Sequence, residues 1–442
     1  MSTLLVAWRL VPSKKRRFAE ERKACGQRRR AGEAPAEPWL AAAHARLAGK
    51  LALPKLALPK LALPWFAVLL LSLCGCAPYA YRACPPHVTP ALGKMVDKHA
   101  IIPVLYATDR RPTGAHSTAL YFGGDRSIDV HYGTCPVSIP PRHGCGRLEA
   151  ALLGIGESPR RHVSARAIEP SDRAAFVGAL RERVAKSKRH EVLVVIHGFK
   201  ELFVNAARTT AQLAHDVEFD GAAVLYSWPT QGWLASYLVD ESNVNWTYPH
   251  LVELMTLLVE ESGAERIHIL AHSMGCRVLV FALQEYARRH PVGATPAFDQ
   301  IIFAAADIDA EIFARDYGPD IAGSARRFTI YRSTADWALG ASLWLHKYTR
   351  LGREGLPDPS TAWAARYNVI DATRIDRGIV GHFYYHASPT LLDDLKDVLR
   401  DTTAEQRGLL RIGDEFRIDP KRLRKQWGVD TVPIRARYRQ AS

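Results

Sequence analysis

A serine, two aspartates and a histidine, each lying just after an apolar run, are the residues of this chain whose types and order can do chemistry. Ser273 stands in "ILAHSMGCRV", where an apolar run breaks and then resumes in helical register. Asp307 follows in "AADID", Asp336 just past "RRFTIYRS", and His382 in "GHFYYH" behind Gly381. Serine, acid, histidine is one of the convergent orders of nucleophilic triads. In such a set the histidine takes the serine's proton. The acid holds the imidazole in its working tautomer and does not take up the proton itself. Asp336 sits where the acid of this order belongs, and Asp307 is the alternative acid. The oxyanion of a tetrahedral intermediate needs preorganised donors. The amide of Met274, at a helix N-terminus, is one candidate, and the amide of Phe199, in the loop after "VVIHG", is the other.

Each of these residues also has a plainer reading. A serine before a helix is commonly an N-cap, and Asp307 with Asp309 would cap "AEIFARDY". The G-x-S-x-G pattern of a nucleophile elbow is incomplete, because Ala271 stands where the first glycine is usual; Gly275 keeps the second. His386 and His346 are the rival histidines, and His197 with Gly198 reads as a turn holding a structural histidine. No C-x-x-C and no clustered His/Cys spacing marks a metal site, so neither a metal nor a cofactor is expected.

The elements that must position these residues form an α/β pattern. From about residue 99, short β-rich pieces separated by Gly, Pro and Asp read as an antiparallel start to a sheet. After an amphipathic helix capped near Asp172, the strands become near-continuous apolar runs, "EVLVVIHG", "GAAVLYSW" and "RIHILAH", alternating with helices. Such runs predict a mostly parallel central sheet covered by helices on both faces, with functional groups on the loops after the strands' carboxyl ends. Two long stretches, Tyr226 to His250 and the passage from His346 to Asn368, are candidates to line or cover a pocket.

The chain has 442 residues and a formal charge of +14. That charge is concentrated: residues 1–64 hold 14 Lys/Arg against 4 Asp/Glu, and the tail from Lys421 to Ser442 holds seven basic residues and one acidic. The part between is close to neutral, so nucleic acid is not an expected partner. The basic head contains the repeat "KLALPKLALPKLALP", whose prolines forbid a continuous helix, and ends in an apolar run too short to span a bilayer. Such a run suits the core of a secretory signal, and about 60 residues ahead of it suggest a true start nearer the run. The segment "LCGC" resembles the lipobox of bacterial lipoproteins, which implies lipid attachment at Cys76 and a membrane anchor at the cell envelope. In an oxidising compartment Cys135 and Cys145 are candidates to pair, with free buried thiols as the alternative. The expected organisation is a leader over 1–75, a linker over 76–98, an α/β domain over 99–400 and a charged appendage over 401–442.

Taken together, "LYATDR", "VLVVIHGFKELFVNAARTTAQLAHDVEFDGAAVLYSWPTQG", "IHILAHSMGCRVL", "FAAADIDAEIF" and "GHFYYHASP" resemble the bacterial α/β-hydrolase family catalogued as domain of unknown function 900. The resemblance covers roughly residues 101–400. It implies an α/β-hydrolase fold, esterase- or lipase-like activity, and catalytic positions at Ser273, Asp336 and His382. The family usually has asparagine where Lys200 stands here. The leading expectation is therefore a serine hydrolase acting on small or lipid carboxylic esters through an acyl-enzyme on Ser273. Alternatives are a catalytically silent, envelope-anchored interaction protein on the same scaffold, or an acyltransferase using the same triad.

Overall fold

The computed structural model describes residues 83–84, 87–151, 157–232, 236–290, 295–375 and 381–419. The leader, Cys76 and the tail from Lys421 lie outside the described residues. One mixed sheet organises the rest. Its antiparallel side comprises β1 (Lys94–Val96), β2 (His99–Pro112), β3 (Phe122–Ile139), β4 (Ser164–Ala165) and β5 (Glu169–Ser171). Then follow β6 (Glu191–Ile196), β7 (Ala222–Ser227), β8 (Arg266–His272), β9 (Phe298–Ala304), β10 (Ala325–Arg332) and β11 (Tyr367–Asp371). From β2 the parallel order is β2-β7-β6-β8-β9-β10-β11, so the chain reverses direction of growth beside β6. The main helices are α1 (Arg173–Lys186), α2 (Phe203–Asp216), α3 (Tyr237–Glu261), α4 (Gly275–Arg289), α5 (Trp337–His346) and α6 (Pro389–Leu399).

The central strands are mostly apolar because both of their faces are covered. Along β6, Val192, Val194 and Ile196 join a core with Phe176, Leu251 and Leu279, whereas Leu193 and Val195 join a second core with Phe203, Ala207 and Leu391. Alternate side chains of a strand point to opposite faces, so one six-residue run serves both layers. Asp172 caps α1 as expected, its side chain accepting from the amide of Ala175 at 2.7 Å. No helix among the described residues is long and apolar enough to cross a membrane.

Several expectations need correction. The disulfide joins Cys84 to Cys145, and Cys135 is a free, buried thiol inside β3. A bond from Cys135 would have required its side chain to leave the core, where it is fully buried. The passage after residue 400 is not merely an appendage: β12 (Leu410–Ile412) and β13 (Glu415–Arg417) form a hairpin, and β13 pairs in parallel with β11. The expected linker likewise carries β1 and one end of the disulfide. Most of Tyr226–His250 is helix, since α3 runs 25 residues straight through Pro249. Proline suits a first helical turn, which is why its position reads as a helix start in sequence. In the passage 346–368, Trp363 packs against Phe313 and Tyr367, so this part fills the core's edge.

Candidate active site

β8 passes into α4 through a single sharp turn, and Ser273 sits at its apex with φ +52°. A non-glycine residue in the left-handed region is uncommon and costs energy, so surrounding contacts must hold it. They do. The amide of Ser273 donates to Ala304 O at 3.0 Å, and its carbonyl accepts from Cys276 N at 3.1 Å and Asp307 N at 3.2 Å. The two flanking small residues have different weight. A Cβ on Gly275 would lie 2.3 Å from His197 O, so this glycine is required for α4 to start against the end of β6. Ala271 carries its methyl fully buried in the core. The crowding of this elbow thus lies on the helix side, and the incomplete G-x-S-x-G pattern is sterically accounted for.

The loop after β6 lies against the serine. A Cβ on Gly198 would meet His272 Nδ1 at 2.7 Å and Ser273 Cβ at 3.0 Å. His197 Nδ1 faces Gly198 O at 2.9 Å, and no peptide bond among the described residues is cis. In a trans peptide the carbonyl and the next N–H point opposite ways, so the Phe199 N–H is turned away from His197. Neither the Phe199 nor the Met274 amide has a protein acceptor among the described residues. Lys200 follows at φ +65° with its side chain exposed. That backbone region favours asparagine over lysine, so the surrounding turn holds Lys200 against its preference.

His382 follows Gly381, whose φ of +67° makes the bend, and its Nδ1 lies 2.7 Å from Asp336 Oδ2. Asp336 is fully buried at the N-cap of α5, where its other oxygen accepts from Leu339 N at 3.0 Å. One carboxylate therefore caps a helix and orients an imidazole, and the helix dipole favours its charge. Ser273 itself is 6% exposed. Among the described residues there is no hydrogen bond between Ser273 Oγ and His382 Nε2.

Asp307 is placed elsewhere. Its oxygens take Ser342 Oγ at 2.6 Å and Tyr237 OH at 2.5 Å, with the guanidinium groups of Arg277 and Arg350 at 3.4 and 3.3 Å. Burial pushes its carboxyl up, but the two arginines outweigh this and hold it below the usual range. Asp309, not Asp307, caps the short helix that follows, accepting from Glu311 N and Ile312 N. The rival histidines are also engaged apart from Asp336: His346 contacts Glu241 Oε1 at 2.9 Å, and the backbone of His386 accepts from Gln212.

Two supporting residues escape a reading of the sequence alone. His272, next to the serine, donates from Nε2 to His382 O at 3.1 Å and stacks on Tyr385 at 4.4 Å. Burial first, and then the neighbouring His382, push its pKa far down, so it stays neutral beside the imidazole it supports. Arg110, fully buried at the end of β2, donates to Glu201 O at 2.7 Å, Thr230 O at 3.3 Å, Gly123 O at 3.0 Å and Ser227 Oγ at 2.9 Å. It pins the loop after β6 to the loop after β7. Its sequence signal is the run Asp109-Arg110-Arg111 at the end of a mostly apolar strand.

A model of a family described as alpha/beta hydrolase of unknown function (DUF900) matches residues 172–400. The chain belongs to this family. For an alpha/beta hydrolase of this family, the elbow at Ser273 and the Asp336–His382 pair stand at the carboxyl ends of β8, β10 and β11, where an open α/β sheet collects its functional groups. No curated protein matches the chain. A cavity of about 360 Å³ lies one helical turn from the elbow, lined by Arg277, Val280, Phe281, Ile308, Ile312 and Tyr348 among others; Ser273 is not in its wall.

Proposed function

We propose that this alpha/beta hydrolase cleaves carboxylic esters through an acyl-enzyme on Ser273, with His382 as general base and Asp336 as its orienting acid. The observation that carries the reading is the positive φ of Ser273 at a strand-to-helix turn whose preceding residue, His272, packs at 4.7 Å on a histidine with Nδ1 already committed to a buried carboxylate. With Nδ1–H donating to Asp336, the lone pair lies on Nε2, the atom that can accept the serine's proton. Serine–histidine contacts are commonly long without substrate and tighten in the complex.

In the reaction, Oγ of Ser273 attacks the ester carbonyl carbon as its proton passes to His382 Nε2. The carbonyl oxygen becomes an oxyanion held by the Met274 and Phe199 amides. Collapse breaks the bond to the leaving alkoxide, which takes the proton from Nε2 and departs as an alcohol. Water, deprotonated by the same nitrogen, then releases the acid and restores the serine. Asp336 remains a carboxylate throughout.

The reading extends to the cell envelope, with Cys76 as the lipid attachment point. The Cys84–Cys145 disulfide supports it, because such bonds persist in oxidising compartments. A series of p-nitrophenyl esters from acetyl to long acyl tests the reaction class. The native chain should turn over part of the series, and Ser273→Ala should lower turnover at least about a thousandfold without changing the thermal midpoint. Equal activity of the two proteins would remove the serine from the mechanism.

A further inference from the structure

The helix that begins at the orienting acid presents an uncovered apolar stripe. On α5, Leu339 and Ser342 face inward, whereas Trp337, Ala341 and Trp344 lie on one face at i, i+4 and i+7, with Leu345 beside them and Tyr348 just past the end. The two tryptophans are 71% and 74% exposed and Tyr348 is 58% exposed. Scattered exposed apolar residues are ordinary on a soluble surface, but a row of this size on one helix marks an interaction face.

The stripe stands at the rim of the candidate site. Trp337 directly follows Asp336, and exposed Phe383 directly follows His382. Tyr237 links the other sides, its ring 5.3 Å from Phe199 and 5.6 Å from His346. Beside these two residues, Leu202, Leu238 and Val239 are also exposed. Tyr348 further lines the 360 Å³ cavity, so the stripe continues into an apolar recess.

The exposed charges of the segments flanking the stripe are basic. Among the described residues of 198–202, 236–241, 333–350, 371–375 and 381–388, Lys200, Lys347 and Arg374 are exposed, and no aspartate or glutamate is. Of the five acids there, Asp336 is engaged with His382, Glu241 with Arg277 and His346, Asp371 with Arg417 and Asp240 with Gln231 N and Asn243, while Glu201 is half-buried. Lys347 Nζ lies 5.2 Å from the Trp344 ring centre, a cation on an amphipathic aromatic. Tryptophan and tyrosine favour the headgroup level of a bilayer, and cations are attracted to anionic headgroups by roughly 1 kcal/mol each.

We propose that α5 docks on an anionic phospholipid surface, with Trp337, Trp344, Leu345 and Tyr348 among the headgroups and upper acyl chains, so that Ser273 takes its acyl ester from that surface. The docking stands on the exposed face alone; the choice of a lipid ester as substrate rests on the hydrolase reading above.

The test uses the full chain carrying Ser273→Ala and Cys76→Ser, so that neither turnover nor lipid attachment contributes. It is mixed with phosphatidylglycerol or phosphatidylcholine vesicles whose acyl chains are brominated near the headgroup. Tryptophan quenching is expected with phosphatidylglycerol, weakening as salt rises, and at least halved by Trp337→Phe with Trp344→Phe. Trp344→Asp should lower partitioning at least about tenfold and leave hydrolysis of a water-soluble acetyl ester by the Ser273 protein unchanged. Quenching equal on both lipids, or unaltered by the paired Phe substitutions, overturns the docking. So does a dimer in sedimentation that Trp344→Asp dissociates, since a second copy would then cover the stripe. Quenching as expected, in a chain whose Ser273 form hydrolyses no ester, leaves the docking in place and overturns the lipid substrate.

Discussion

Of the buried histidines that sit against carboxylates, two differ in how many ring nitrogens are taken. His143 has Glu149 Oε2 at 2.8 Å on Nδ1 and Asp216 Oδ1 at 2.8 Å on Nε2. Among the described residues, the ring of His382 has only Asp336, on Nδ1. A ring held on both sides has no acceptor to offer, so the first arrangement fixes structure; a ring held on one side can move a proton through the other. The surroundings agree. Around His143, Asp216 also accepts from Gly146 N and Gln212, Cys84 N donates to His143 O, and the disulfide lies alongside, so the cluster ties the segment after β3 to the end of α2. Around His382, by contrast, the Ser273 hydroxyl and the Met274 and Phe199 amides have no protein partner among the described residues.

The largest expected effects fall on the one-sided pair. His382→Gln should lower ester turnover on the order of ten-thousandfold with little change in unfolding, and Asp336→Asn should follow it closely. Asp307→Asn should do the reverse, retaining turnover per folded molecule but lowering stability by about 3 kcal/mol, because Arg277 and Arg350 would lose their shared anion. Turnover and denaturation midpoints measured on the same preparations separate the two acids. Loss of turnover in Asp307→Asn alone would move the acid to Asp307.

The two-sided pair should show in stability. His143→Gln leaves buried Asp216 and half-buried Glu149 without their cation and should cost about 3–5 kcal/mol in chemical denaturation, with turnover of the folded protein retained. The pH dependence is specific. Burial pushes the His143 imidazole down, but its hydrogen bonds to Asp216 and Glu149 win and carry it from 6.5 up to about 9. A raised folded-state value means that its stabilisation is fully present below pH 6.5 and is lost as pH rises through about 9. Asp216 moves the other way: burial pushes it up, while His143 and His215 outweigh that and bring it from 3.8 to about 2. Its contribution is complete above pH 3.8 and is lost as pH falls through about 2. Thermal midpoints from pH 6 to 10 should therefore decline in the native chain and flatten in His143→Gln.

The parts of this molecule that were legible in sequence are those set by local pattern. The apolar runs of β6, β8 and β9 declare a sheet covered on both faces, and Asp172 declares the start of α1. The strand-end placement of Ser273, Asp336 and His382 is legible because each follows an apolar run, and topology brings strand ends together. Long-range partners are not legible. Cys84 and Cys145 are 61 residues apart, and the choice between Cys84 and Cys135 depends on which side chain the core of β3 retains. His143 meets Asp216 across 73 residues, and with His215 they converge closely enough to suit a metal ion, a grouping no local spacing shows. The ring nitrogens of His143 are already engaged by carboxylates, so the cluster serves structure. The three-residue strands β12 and β13 are too short for any periodicity, and Pro249 masks the continuity of α3.

The most direct measurement of the central claim is labelling of the folded full chain with a fluorophosphonate, followed by mass spectrometry of its peptides. One adduct on Ser273, absent in Ser273→Ala and strongly slowed in His382→Gln, is the expected result. Equal labelling of the native chain and Ser273→Ala, or no labelling of a folded protein, would contradict the assignment of this elbow as a nucleophile.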